Sequence, residues 1–158
     1  MKPGGGILAD VLAPQQRIVF CGSAVGTASA QAGAYYAGPG NRFWQTLYEV
    51  GLTPHRVAPA EFKSLLTFGF GLTDLCKSSA GQDHMLHPAS DDTGALAQKI
   101  VEFAPAHLAF NGKRAARVFL TDRFGQKKAP VCGLQAGAIG VTRIWVLPST
   151  SGAARRWW

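Results

Sequence analysis

The sequence contains few cysteines, few acidic residues and no long apolar run. Its three cysteines, Cys21, Cys76 and Cys132, are far apart and form no C-x-x-C pair, so no disulfide framework, zinc site or iron–sulfur cluster is predicted. No apolar run approaches the roughly 18 residues that a membrane span needs. The segment from Met1 to Leu12 lacks a continuous apolar stretch and does not predict a secretory signal. These absences favour a cytoplasmic protein.

Negatively charged residues are also scarce. The 158 residues include only 9 Asp and Glu against 16 Lys and Arg, which gives a formal net charge of +7. On a chain of one-domain size, this excess favours a polyanionic partner such as nucleic acid, although solubility alone is the alternative explanation. The basic residues are concentrated in the C-terminal half, at Lys113, Arg114, Arg117, Arg123, Lys127 and Lys128.

Apolar segments alternate between strand-like and helix-like patterns. The strand-like segments are Arg17–Cys21, Phe70–Leu75, His107–Phe110 and Arg143–Leu147. The helix-like segments are Asn41–Val50 with Asn41 as N-cap, Pro59–Thr67, a segment that Asp92 caps and Pro105 ends, and Gly112–Leu120. The segment after Asp92 has Leu96, Ile100, Val101 and Phe103 on one apolar side. This alternation predicts an α/β fold with a mostly parallel sheet of four strands. In such sheets ligands bind beyond the carboxyl ends of the strands, where this sequence has glycine or small polar residues.

Common cofactor motifs are missing. The segment Gly22–Gly26 lacks the spacing of a dinucleotide-binding loop, and Asn111–Arg114 lacks the Ser or Thr of a phosphate-binding loop. His84 and His87 are three residues apart but have no third ligand at a suitable spacing. We therefore predict neither a metal nor a cofactor.

Four segments carry a resemblance to a known family. They are Val19–Gly26, Tyr36–Trp44 (Tyr-Ala-Gly-Pro-Gly-Asn-Arg-Phe-Trp), Phe70–Leu75 together with Ala109–Lys113, and Ile144–Gly152 (Ile-Trp-Val-Leu-Pro-Ser-Thr-Ser-Gly). From about Ile7 to Arg155 the chain resembles the mismatch-specific uracil/thymine DNA glycosylases of the uracil-DNA glycosylase superfamily. The resemblance implies a single domain over residues 1–158, folded as a three-layer α/β/α sandwich with a mainly parallel four-stranded sheet.

The resemblance also implies an activity and a set of site residues. The activity is hydrolysis of the N-glycosidic bond of uracil in DNA, by a monomer that flips the base out of the stack. Tyr36 is expected to stack on the flipped base, and Asp74 to accept a hydrogen bond from uracil N3–H. The full set expected to bind uracil is Gly22, Ser23, Ala24, Tyr36, Asp74 and Asn111. The set expected to bind the DNA backbone is Asn41, Lys113, Ser149, Ser151, Gly152 and Arg155.

One position departs from the family pattern at the centre of the chemistry. Ala24 stands where the family has an Asn that positions the attacking water, and a methyl group cannot do this. Ser23, Gln31 and Asp74 are candidate catalytic replacements. Stabilisation of the leaving base alone is a second possibility. A third is that the protein binds uracil-containing or abasic DNA without cutting it.

A second departure concerns the strand state of the DNA. The family usually has a bulky residue after Ser-Gly that fills the gap left by the flipped base, whereas this chain has Ala153 and Ala154. The sequence therefore predicts that uracil in single-stranded or mismatched DNA is the preferred substrate. A nucleotide-binding α/β domain is a further alternative, which has only the predicted fold class in its favour.

Overall fold

The computed structural model describes residues 7–81 and 91–154. In this part of the chain the strands are β1 (Ile18–Gly22), β2 (Phe70–Asp74), β3 (His107–Asn111), β4 (Gly133–Ile139) and β5 (Thr142–Leu147). The α-helices are α1 (Thr27–Ala32), α2 (Phe43–Glu49), α3 (Thr93–Phe103) and α4 (Lys113–Phe124), and Pro59–Phe68 forms a 3-10 helix. No helix among the described residues is long and apolar enough to cross a membrane.

The strands form one sheet in the order β2-β1-β3-β5-β4. The first four in this order are parallel, and β4 pairs antiparallel with β5. The predicted α/β fold with a mainly parallel sheet is confirmed. The predicted number of strands was one too low, because β4 is an edge strand whose Gly- and Ala-containing sequence gives little apolar signal.

Alternate side chains of the strands enter different layers, since successive residues of a strand point to opposite faces of the sheet. In β1, Phe20 packs against α2 and the 3-10 helix, whereas Val19 and Cys21 pack against α3 and α4. In β3, Ala109 and Leu108 divide in the same way. The result is the predicted three-layer α/β/α sandwich.

One face of the sheet, which we call the aromatic face, is covered by α2, the 3-10 helix and the surrounding loops. Its core contains Phe20, Tyr35, Phe43, Trp44, Phe62 and Phe70. Phe20 meets Phe43 and Phe70 edge to face, with ring centroids 5.3 and 6.2 Å apart. A cavity of about 440 Å³ remains between α2 and strands β1, β3 and β5. Large rings thus fill this layer, but not completely.

The opposite face, which we call the helical face, is covered by α3 and α4. Asp92 caps α3 as predicted, because its carboxylate accepts a hydrogen bond from the Ala95 N–H at 2.8 Å. Leu96 and Ile100 are buried against the sheet as predicted. Val101, also expected on the buried side, is 65% exposed. It lies one position after Ile100, which turns it about 100° away from the sheet.

The start of α2 differs slightly from the prediction. Arg42 occupies the N-cap position, and Asn41 lies one residue earlier. The Asn41 side chain still accepts a hydrogen bond from the Phe43 N–H at 3.0 Å, so it satisfies one of the free donors at the helix start. The residues of the Pro-Gly-Asn-Arg-Phe-Trp segment are therefore held by the helix that they begin.

Candidate active site

A cavity of about 1080 Å³ lies at the carboxyl ends of the parallel strands. Three segments surround it: the turn 22–29 after β1, the loop 35–42 before α2, and the loop 149–154 after β5. Asp74 at the end of β2 and Asn111 at the end of β3 complete its wall. This is the place where ligands bind in open parallel sheets, as the sequence predicted.

Gly22 lets two polar groups approach each other at one side of this cavity. Gly22 pairs with Asp74 in the register of β1 and β2. A Cβ atom at Gly22 would lie 2.8 Å from Asp74 Oδ1 and 3.3 Å from the Tyr36 hydroxyl oxygen. Because such contacts leave no room for a methyl group, the Asp74 carboxylate and the Tyr36 phenol both lie over the backbone of Gly22, which has no side chain.

Asp74 is a buried carboxyl group with an unused hydrogen-bond acceptor. It is 3% exposed, and its Oδ2 atom has no hydrogen-bond partner in the described part of the chain. Burial raises the pKa of Asp74 to about 7, although the nearby Lys77 ammonium, 3.8 Å from Oδ2, opposes this rise. Asp74 therefore changes charge near neutral pH at the wall of the cavity.

Tyr36 lines the cavity, and its ring packs against Phe43. The two rings are stacked, with centroids 4.0 Å apart and an angle of 29° between their planes. Burial and the charge of Asp74 raise the pKa of the Tyr36 hydroxyl above its usual range, so the phenol is neutral. Tyr36 has φ = 52°, a left-handed conformation that costs free energy for a non-glycine residue and turns the ring toward the cavity.

Ser23 and Ala24 also line the cavity, directly after Gly22. The backbone here is fixed by the segment that follows β2, because Leu75 N–H donates to Gly22 O at 2.9 Å and Cys76 N–H donates to Ser23 O at 2.7 Å. Ser23 is 8% exposed and carries the one polar side chain of the segment from Ser23 to Gly26. It is thus the hydroxyl nearest in sequence to the methyl group of Ala24.

Asn111 connects the end of β3 to the loop after β5. Its amide nitrogen donates to Thr150 Oγ1 at 2.8 Å, and its carbonyl oxygen accepts from the Thr150 N–H at 3.0 Å. Thr150 O in turn accepts from the Arg42 N–H at 2.9 Å. Sequence analysis did not identify Thr150 or Arg42. Thr150 links β3, this loop and the start of α2, so Asn111 has a positioning task at the cavity wall.

The loop from Ser149 to Ala154 borders the cavity with small residues. The hydroxyls of Ser149 and Ser151 each accept from a backbone N–H two residues later, at 3.2 and 3.3 Å. Gly152 lies against the loop before α2, where a Cβ atom would be 3.1 Å from Pro39 O. The two loops therefore form one continuous rim.

Two expected site residues lie elsewhere, and a third cannot be placed. Gln31 is exposed on α1 and does not line the cavity. Lys113 is exposed at the first position of α4 and is also not part of the lining. Arg155 is outside the described residues. The remaining expected residues, Gly22, Ser23, Ala24, Tyr36, Asn41, Asp74, Asn111, Ser149, Ser151 and Gly152, all line the one cavity.

No group of three His, Cys, Asp or Glu side chains in residues 7–81 and 91–154 is arranged to hold a metal ion. His84 and His87 lie outside the described residues. The buried Cys21 and Cys76 are free thiols, and burial raises the pKa of Cys21 well above its usual range. Both cysteines are therefore core residues.

Comparison with known proteins identifies the family. The model of the uracil DNA glycosylase superfamily matches residues 9–158, and the chain belongs to that superfamily. The solution NMR structure of a proposed uracil DNA glycosylase from Methanosarcina acetivorans has a similar fold, with a TM-score of 0.63 and 24% sequence identity. That similarity covers 95% of this chain and 86% of the archaeal chain. The protein is thus a member of the uracil DNA glycosylase superfamily with an α/β/α fold.

Proposed function

We propose that the protein excises uracil from DNA by hydrolysing its N-glycosidic bond, as a variant of the mismatch-specific uracil/thymine DNA glycosylases. The observation that carries this proposal is the unpartnered Asp74 Oδ2 atom beside Tyr36 in the cavity. A buried polar atom without a partner costs free energy, and a ligand that supplies the missing hydrogen bond recovers it.

In the proposed complex, Asp74 recognises the edge of the flipped uracil. Its carboxylate accepts a hydrogen bond from uracil N3–H, and the Tyr36 ring, supported behind by Phe43, stacks on the base. Cytosine has an acceptor at N3, which the carboxylate would repel. Asp74 therefore discriminates between uracil and the normal base from which uracil arises by deamination.

The reaction breaks the bond between C1′ of the sugar and N1 of uracil. The bonding electron pair leaves with uracil as an anion, a water molecule adds its oxygen to C1′, and the proton that the water loses is balanced by the one that the uracil anion takes up. Because Ala24 cannot hold this water, we propose that the Ser23 hydroxyl positions it. Gln31 is not proposed for this task, since it is exposed outside the cavity.

The rim of the cavity is proposed to hold the DNA backbone. Asn41, Ser149, Ser151 and Gly152 lie together there, and amide and hydroxyl groups of this kind contact phosphate oxygens in protein–DNA complexes. Lys113, Arg155 and the net charge of +7 would add attraction without sequence preference. Because Ala153 and Ala154 are too small to fill the gap left by a base, uracil in single-stranded or mismatched DNA is the proposed substrate.

The test compares two substitutions of Asp74. Asp74→Ala removes the acceptor and should lower uracil release more than 100-fold, because both recognition and a buried hydrogen bond are lost. Asp74→Asn keeps an oxygen acceptor and should retain release within about tenfold, without the pH dependence of the wild type. Wild-type release should rise with pH through about 7, as Asp74 loses its proton.

The assay is single-turnover release of uracil from single-stranded and G·U oligonucleotides, with Ser23→Ala measured in parallel. A loss with Asp74→Asn as large as with Asp74→Ala would assign Asp74 to proton removal from water. The alternative function, binding without cleavage, is favoured by Ala24 at the water-positioning site. Tight binding of uracil-containing or abasic DNA with no release by the wild type would establish that alternative.

A further inference from the structure

Lys77 connects Asp74 to a polar network behind the cavity. Its ammonium donates to Leu8 O at 2.7 Å, to Asp10 Oδ1 at 3.0 Å and to the Tyr35 hydroxyl at 3.1 Å. An ammonium has three protons, so these acceptors use all of them. Asp74 Oδ2, 3.8 Å from Nζ, is left with electrostatic attraction but no hydrogen bond.

Asp10 holds Lys77 in this position. One carboxylate oxygen contacts Lys77 and accepts from Thr73 Oγ1 at 2.8 Å, and the other lies 2.7 Å from Lys99 Nζ on α3. Burial acts to raise the pKa of Asp10, but Lys77, Lys99 and Thr73 outweigh it and the pKa is lowered. Asp10 is thus an ionised anchor that draws the Lys77 ammonium toward itself and away from a hydrogen bond with Asp74.

The groups facing Asp74 come from every element packed around it. Lys77 and Lys99 favour its ionised form, and Asp10 opposes it. Cys21 on β1, Tyr35 and Tyr36 have pKa values that burial raises far above neutral, so they contribute no charge near pH 7. Lys77 is therefore the nearest positive charge to the unused Asp74 oxygen among the described residues.

We propose that Lys77 is a positioning residue that stabilises the ionised form of Asp74, while Tyr35 keeps a Lys77 proton from occupying the oxygen that the base needs. The proposal rests on the proposed function, in which Asp74 accepts a hydrogen bond from the flipped base. The charge of Lys77 and its hydrogen bonds thus have separate roles. The Lys77 ammonium stabilises the negative charge of Asp74 but donates its hydrogen bonds to Leu8, Asp10 and Tyr35. The Asp74 oxygen therefore remains open to a ligand.

Two substitutions should move the titration of Asp74 in opposite directions. Lys77→Met removes the charge and should shift the midpoint to higher pH by roughly one unit, the lower end of the effect of a close opposite charge. Tyr35→Phe frees one Lys77 proton, which can then turn to Asp74 Oδ2, and should shift the midpoint to lower pH. It should also weaken uracil release, because the oxygen is then occupied.

The measurement is the pH dependence of the Asp74 carboxyl carbon signal, by NMR on the DNA-free protein, together with the pH profile of uracil release. At pH 7 the Lys77→Met shift should lower release about fivefold, with recovery at higher pH. Lys63→Met is the control, since it removes one exposed positive charge from the 3-10 helix. Lys77→Arg, which keeps the charge, should retain most of the wild-type midpoint.

The outcomes separate this proposal from the proposed function. Midpoints unchanged in both Lys77→Met and Tyr35→Phe would overturn the role of Lys77, even if uracil is released normally. Opposite shifts in the DNA-free protein would support it, and a wild type that released no uracil would then overturn the proposed function alone. If Lys77→Met does not fold, the acid shift in Tyr35→Phe remains the deciding observation.

Discussion

The two faces of the sheet bury their side chains in different ways. The helical face packs two regular helices on mainly aliphatic residues. Its buried carboxylate is paired, since Asp91 accepts from both terminal nitrogens of Arg114 at 3.0 and 2.8 Å. The aromatic face is covered by short helices and loops, contains a cavity of about 440 Å³ and borders the active-site cavity through Tyr36. Asp74, at the edge of that cavity, has an oxygen with no hydrogen-bond partner among the described residues.

The helical face therefore contributes mainly to stability, whereas the aromatic face borders the cavity in which we propose that the base binds. In the described part of the chain, no buried side-chain N or O atom on α3 or α4 lacks a hydrogen-bond partner. The active-site edge keeps a buried acceptor and a strained tyrosine, features that cost stability and are typical of functional sites. Substitutions on the two sides should therefore differ in what they damage.

The largest effect is expected in the core of the helical face. Phe119 on α4 is fully buried and contacts Phe110, with ring centroids 5.4 Å apart. Phe119→Ala should lower the free energy of unfolding by about 3–5 kcal/mol, because it leaves a cavity in a well-packed layer. Urea unfolding measures this loss. Uracil release per folded molecule should be unchanged, and a selective loss of activity would contradict the division between the faces.

A pair of identical substitutions tests the contrast between the two buried carboxylates. Asp91→Asn breaks a charge-assisted pair with Arg114 and should cost about 1.5–3 kcal/mol. Asp74→Asn should instead stabilise the protein above neutral pH. Between the usual pKa of 3.8 and the native value of about 7, the native state holds a proton that the unfolded state has lost, so wild-type stability falls as pH rises.

The measurement is urea unfolding of both variants and the wild type at pH 5 and pH 8. The advantage of Asp74→Asn over the wild type should grow by roughly 2–3 kcal/mol across this interval. An advantage that is the same at both pH values would mean that Asp74 is not a buried acid with a raised pKa. Destabilisation by both substitutions would remove the contrast between the faces.

The smallest effect is expected at the rim. In Gly152→Ala the new methyl group would press on Pro39 O and the Gly40 backbone, at 3.1 and 3.4 Å, so the two loops must separate slightly. We expect a loss of about 1 kcal/mol in DNA affinity with almost no change in unfolding free energy. Gly94→Ala is the control, because Gly94 lies on α3 outside the cavity lining and a Cβ there would make only an ordinary contact of 3.7 Å with Asp92 Oδ1. Equal affinities of the two variants would exclude a tight rim.

The sequence predicted the fold and most of the cavity because these follow from short segments. Buried strands ending in small polar residues must bring those residues to one edge of a parallel sheet, which is why Gly22, Asp74 and Asn111 are found together. Strand β4 was missed because its glycines and alanines carry little apolar pattern, and Val101 was misplaced by one helical position.

Contacts between distant segments could not be predicted. Lys77 and Asp10 lie far apart in the sequence, and their ion pair arises because the N-terminal segment pairs with β2, where Val11 and Leu72 exchange backbone hydrogen bonds of 2.9 Å. Sequence also could not separate adjacent tyrosines by environment. Tyr36, which was expected to stack on the base, lines the cavity, but nothing indicated that Tyr35 would accept a hydrogen bond from a lysine.

The absence of a side chain at Gly22 has an evolutionary consequence. A methyl group there would collide with Asp74 and crowd Tyr36, whereas Ser23, Ala24 and Val25 already carry side chains on the same turn. Mutation can therefore place different side chains at position 24. At position 22 any side chain would have to displace Asp74 or Tyr36, so only glycine fits the present arrangement.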